Sequence, residues 1–158
     1  MLKRLFSAAA LAALAASPAL AAEVTEATPV NATPDKVWAT IGGFCGIANW
    51  HPLVEACQLS TQGGKNIRTL SLKGGGAIVE EEVGRDDARM AYSYRILESP
   101  LPVESYVSTI QVEPSGSAGS TVTWTGSFQP KGASEADAKT VIDGIYVKGL
   151  AGIVDKST

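Results

Sequence analysis

The sequence predicts an α+β domain in which an antiparallel sheet of about seven strands wraps around one long C-terminal helix. Two observations carry this. Between residues 53 and 128, strand-like stretches are separated by short punctuation at Gly63-Gly64, Gly74-Gly75-Gly76, Asp86-Asp87, and Gly116 with Gly119, the pattern of an antiparallel meander. From Ser134 onward the period becomes helical, with Ala138, Val141, Ile142, Ile145, Leu150, Ile153 and Val154 forming an apolar stripe.

The chain begins with Lys3 and Arg4, an apolar run over 5–16 and Ala19-Leu20-Ala21, the layout of a secretory leader cut after Ala21. The apolar run is shorter than the roughly 20 residues needed to span a bilayer. Residues 1–21 are therefore expected to be a signal peptide and 22–158 one domain, periplasmic or secreted, without a membrane span after cleavage. The net charge of −3 becomes more acidic once Lys3 and Arg4 leave, and no basic cluster exists. That argues against nucleic acid or anionic lipid as a partner, since both reward runs of Lys and Arg.

Taken in order, 24–30 reads as a first strand, which Pro29 confines to an edge. Thr33-Pro34-Asp35 starts a helix, with a capping hydroxyl, a proline suited to the first turn and a carboxylate favourable to the dipole. Val37, Trp38 and Ile41 give this helix an apolar face, and Gly42-Gly43 ends it. Six strands are expected at 54–61, 67–72, 77–86, 90–97, 106–114 and 121–128, with Ser99-Pro100-Leu101-Pro102 as a stiff loop. Ser134 to Asp137 resembles a capping box, and a helix over 135–155 would span roughly 30 Å. Gly144, Gly149 and Gly152 each cost such a helix about 1 kcal/mol, so close approach to the sheet or room for a ligand is expected at them.

The stretch 44–52, Phe-Cys-Gly-Ile-Ala-Asn-Trp-His-Pro, holds the protein's single His, one of its three Trp and one of its two Cys. Pro52 stiffens a turn that would place Trp50 and His51 at the mouth of an apolar cavity; the alternative is a core Trp50 and a surface His51. Cys45 and Cys57 either form a disulfide or remain two buried thiols. Arg68 and Glu80 flank the triple-glycine turn almost symmetrically, so they face each other on neighbouring strands, buried and paired or solvated according to which face lines the core. His51 could act as a general base. With no second His there is little basis for a metal site, and no cofactor is expected. Alternation puts Tyr92, Tyr94 and Ile96 on one face, and likewise Val122, Trp124 and Phe128, as core packing or as cavity lining.

The order of strand, two short helices, six-stranded meander and long helix resembles the helix-grip fold of the START-like (SRPBCC) superfamily, in its polyketide cyclase/dehydrase and lipid-transport group. The residues carrying the resemblance are Pro34-Asp35-Lys36-Val37-Trp38 with Ile41, Phe44, Trp50-His51-Pro52, Arg68, Glu80, Tyr94-Arg95-Ile96, Pro100-Leu101-Pro102-Val103, Trp124, and Tyr146 with Gly149-Leu150. It implies a cavity for a small apolar or amphipathic molecule, lined by Trp50, His51, Arg68, Glu80, Tyr92, Tyr94, Trp124 and Tyr146. Two alternatives accompany it: a cyclase- or dehydratase-type enzyme using His51 and Glu80 with Arg68, and a periplasmic accessory protein of a redox enzyme, similar to a relative that assists methanol oxidation.

Overall fold

In the computed structural model, residues 21–158 are described; the leader assigned to 1–21 lies, apart from Ala21, outside them. The chain runs β1 (Ala22–Val30), α1 (Pro34–Ile41), α2 (Ile47–Trp50), β2 (Val54–Gln62), β3 (Lys65–Leu72), β4 (Ala77–Asp86), β5 (Ala91–Glu98), β6 (Val103–Ser115), β7 (Gly119–Pro130) and α3 (Glu135–Ser157). The seven strands form one antiparallel sheet in the order β1-β7-β6-β5-β4-β3-β2. Pro29 lies on β1, which is an edge strand paired only with β7, where its missing N–H need not face a partner.

Gln62 and Lys65 pair directly, so Gly63-Gly64 is a two-residue hairpin loop, and their φ values of 57° and 77° are those such a loop demands. β6 starts three residues earlier than the sequence predicts. Pro102 does not prevent it, because the register shifts between Glu104 and Val107, and Ser105 takes φ 53° there.

Ser134 caps α3: its hydroxyl accepts the Asp137 N–H at 3.1 Å and donates to the Asp137 carboxylate at 2.7 Å. The buried face of α3 comprises Ala138, Ile142, Tyr146, Gly149, Leu150, Ile153 and Ser157, at the three- and four-residue spacing of a helical stripe. It packs on β1, β7, α1 and α2, leaving the concave face of β3, β4 and β5 open towards one side of the helix.

The three helix glycines divide. A Cβ on Gly149 would lie 2.6 Å from the Trp124 ring and 2.7 Å from the His51 ring, and one on Gly152 would strike the Trp50 carbonyl. Around Gly144 there is open space. Gly144→Ala is therefore expected to raise stability by up to about 1 kcal/mol through helix propensity, whereas Gly152→Ala should lower it. Denaturant midpoints of the two variants check this, and a destabilised Gly144→Ala would show that its space is needed.

Candidate functional site

The 44–52 segment is fixed from several directions. Cys45 and Cys57 are joined in a disulfide, with Cα atoms 5.5 Å apart, tying the link between α1 and α2 to β2. His51 closes the single turn of α2 by donating its backbone N–H to the Ile47 carbonyl at 2.8 Å. Its ring is engaged at both nitrogens. Nδ1 accepts the Leu53 backbone N–H at 3.2 Å, so the ring proton sits on Nε2, which donates to the Ile145 carbonyl of α3 at 3.1 Å. Gly149 is what lets this ring come so close to the helix.

Burial holds the His51 pKa down to about 4, with Arg68 and Lys148 lowering it further and the Ile145 contact opposing. Because the folded value lies below the unfolded value near 6.5, the unfolded chain binds the extra proton. The stabilisation is complete above about pH 6.5 and is lost as pH falls towards 4, by on the order of 3 kcal/mol. Urea unfolding at pH 7 and pH 4 checks this. In His51→Gln the acid-labile part of the stability should shrink, and an unchanged pH profile would contradict the assignment.

Trp50 is placed otherwise than at a mouth. Only 3% of it is exposed, and its ring lies 5.7 Å from both the His51 and the Trp124 rings, edge-on to the latter. One turn of α2 swings the indole inward while Pro52 stays at the surface, so the expectation of a rim tryptophan is corrected to a core one.

Arg68 and Glu80 are direct cross-strand partners on β3 and β4, and both are buried. The Arg68 Nε donates to Glu80 Oε2 at 2.5 Å, and one terminal nitrogen donates to the Phe44 carbonyl at 2.5 Å. The guanidinium carbon lies 4.2 Å from the Phe44 ring centre and 4.7 Å from that of Tyr94. Burial opposes the guanidinium's charge, but the Glu80 carboxylate outweighs it and Arg68 is held above its ordinary pKa. Glu80 is pushed upward by burial, with Arg68 pulling the other way through charge and hydrogen bond. Glu81, on the opposite side of β4, is instead covered by Arg95 at 2.8 Å and Lys65 at 3.0 Å, and these contacts hold its pKa down.

A cavity of about 220 Å³ lies between β3–β5 and α3. Leu70, Ile78, Glu80 and Tyr94 form its sheet wall, Ile142 and Ile145 its helix wall, and Ile47, His51, Tyr106 and Trp124 its inner end. Leu53, Leu72, Lys73, Gly74, Gly75, Ile96 and Leu101 surround the opening. Of the residues assigned to it from sequence, His51, Glu80, Tyr94 and Trp124 line the cavity. Trp50, Arg68, Tyr92 and Tyr146 stand behind that wall: Arg68 supports Glu80, Tyr92 packs with Trp38 and Phe44, and Tyr146 stacks on Trp124 at 4.5 Å.

Ser108, Tyr106 and the helix residues Ile142 and Ile145 are additions to the set read from sequence. Ser108 organises the inner end. Its hydroxyl donates to the Thr125 carbonyl at 2.8 Å and accepts the Trp124 N–H at 2.9 Å, so the Tyr146 hydroxyl, 2.9 Å away, donates to it. Tyr106 in turn donates to Tyr146 at 2.5 Å, and Trp124 also donates to the Tyr94 oxygen at 3.1 Å. Gly126 leaves room for the Tyr146 hydroxyl, which a Cβ there would strike. The signal for Ser108 was present: Tyr106, Ser108, Ile110 and Val112 share one face of a regular strand. Burial raises the Tyr94 and Tyr106 hydroxyls well above their ordinary pKa and pushes Tyr146 up to about 12, so all three remain protonated at neutral pH.

No group of His, Cys, Asp and Glu suited to a metal ion occurs among the described residues. With His51 engaged at both nitrogens and the tyrosines neutral, the unengaged acceptor in the wall is Glu80 Oε1, which no hydrogen bond among the described residues reaches.

A sheet gripping a long helix, with an apolar chamber between them, defines a helix-grip domain of the cavity-bearing kind. The chain belongs to the family described as polyketide cyclase / dehydrase and lipid transport, whose match covers residues 21–158. Among solved structures, it is similar to the protein XoxI from Bacillus cereus, at 34% identity and a TM-score of 0.81, over 86% of this chain and 95% of that one. An uncharacterised protein from Bacillus thuringiensis is 32% identical, with a TM-score of 0.80 over 85% of this chain and 97% of its own. The ZhuI aromatase/cyclase from a Streptomyces species, at 17% identity, shares the fold with a TM-score of 0.68 over 87% of this chain and 91% of its own. No curated protein matches the sequence.

Proposed function

We propose that this protein binds a small, largely apolar molecule in the chamber between β3–β5 and α3. The observation that carries this is the chamber itself: a cavity of about 220 Å³ walled by aliphatic and aromatic side chains, with one buried carboxylate in its wall. Pockets of this make-up, apolar with a few placed polar groups, are the usual form of small-molecule sites. Dry apolar cavities of roughly 150 Å³ accept benzene, so the volume suits a compact body of one or two rings. Membership of a family that includes cyclases, dehydrases and lipid-transport proteins supports the same reading.

Binding fits the geometry better than catalysis by His51, because the lone pair a general base needs already accepts the Leu53 N–H. We place the mature protein outside the cytoplasm, on the support of the leader-like N-terminus and of the Cys45–Cys57 disulfide, a bond that persists in oxidising compartments. Native mass spectrometry of protein purified without denaturation tests the binding. A small molecule released stoichiometrically on unfolding is expected. Protein that is empty, and whose melting temperature compact aromatic probes leave unchanged, would overturn the reading.

A further inference from the structure

We infer that the occupant of this chamber is an uncharged molecule that presents a hydroxyl or N–H donor to Glu80, and that Arg68 is the residue positioning the carboxylate to receive it. The inference rests on the binding role proposed above and narrows the class of ligand.

Glu80 is 4% exposed, lines the cavity, and points two oxygens in different chemical directions. Oε2 is taken by the Arg68 Nε at 2.5 Å. Oε1 has no hydrogen-bond partner among the described residues. The Arg68 guanidinium cannot shed its proton, and a neutral Glu80 beside it would leave a bare cation sealed between Phe44 and Tyr94; the pair is therefore ionic, and Oε1 can only accept.

Oε1 opens onto the chamber instead of being sealed behind its wall, and a hydrogen bond to a charged acceptor is stronger than one to a neutral acceptor. A ligand donor therefore gains more here than at any other point of the wall. The Tyr106 and Tyr146 hydroxyls direct their protons along the chain to Ser108 and the Thr125 carbonyl, which leaves the Tyr94 hydroxyl, whose oxygen takes the Trp124 N–H, as the tyrosine proton free to meet an acceptor on the same ligand.

Charge narrows the class from both sides. An anion would leave water without a free counter-charge, since the Arg68 cation is already paired with Glu80 and Lys73, the one cation lining the cavity among the described residues, stands exposed at the rim. A cationic ligand would find Glu80 already neutralised by Arg68, and so would lose its hydration without a free counter-charge. What remains is a neutral donor on an apolar body.

Four probes built on one naphthalene body decide this by calorimetric titration of the protein: 2-naphthol, its isostere 2-methylnaphthalene, and the slightly larger 2-methoxynaphthalene and 2-naphthoate. The naphthol is expected to bind about tenfold or more tightly than the methyl isostere, with the methyl ether and the carboxylate weaker than the naphthol. In Glu80→Gln the amide oxygen turns to Arg68 and the NH₂ to the cavity, so the order of naphthol and methyl ether should invert. Equal binding of naphthol and methylnaphthalene, or tightest binding of the ether or the carboxylate to the natural protein, would overturn the inference and leave the chamber a binding site. Failure of all four to bind would overturn the binding role itself. The probe order in the natural protein decides even if Glu80→Gln does not fold.

Discussion

Replacing Trp50 by Ala is expected to lower the unfolding free energy by about 3–5 kcal/mol, the usual range for deleting a buried aromatic side chain. The ring is almost sealed, wedged between His51 and Trp124, and its backbone carbonyl lies where Gly152 lets α3 come closest. Its N–H has no hydrogen-bond partner, so the loss is one of packing rather than of a polar contact. Chemical denaturation with unchanged slope measures it, and Trp50→Phe should recover a good part of the loss. A cost below about 1 kcal/mol would return the ring to the surface, where truncations are mild.

Arg68→Leu should be comparably severe, about 3–5 kcal/mol, because it leaves a buried carboxylate with no counter-charge. The Phe44 carbonyl would also lose its donor, loosening the link between α1 and α2. The double replacement Arg68→Leu with Glu80→Leu should be markedly less destabilised than the sum of the two single changes, since no unpaired charge remains. In the single variant, burial without Arg68 raises the Glu80 pKa further above its unfolded value. The folded state then binds the extra proton, so the deficit is largest at high pH and shrinks as pH falls through the folded pKa. That trend is opposite in sign to the one expected from His51. A double-mutant cycle at pH 7 and pH 5 measures both effects; additive losses with no pH dependence would mean that the two side chains stand independently.

The pairing of Arg68 with Glu80 was legible because strand register around a glycine turn is local arithmetic. Which face they occupy was not, since it depends on Phe44 and Tyr94 arriving from elsewhere in the chain to cover the guanidinium. The meander, the capped C-terminal helix and the edge position of β1 followed from period, punctuation and one proline. Trp50 was misplaced because Pro52 signals an exposed turn, and nothing within 44–52 tells which way a single helical turn will rotate its last ring. The signal lay a hundred residues away, in Gly149 and Gly152, whose missing side chains receive that segment. Ser108 was passed over because a serine in a strand ordinarily faces water, and its inward position is set by the three donors and acceptors that meet it.

The pairing of β1 with β7 has a kinetic consequence. Thr25 lies opposite Thr125, so the first strand can be zipped into the sheet only after nearly the whole chain is available to it. The five hairpins from β2 to β7 can form from near neighbours, but the strand that completes the sheet must close a loop of about a hundred residues, an entropic cost growing as the logarithm of length. Folding should therefore run on the millisecond-to-second scale of sheet proteins dominated by distant pairings, with the amino-terminal strand docking late.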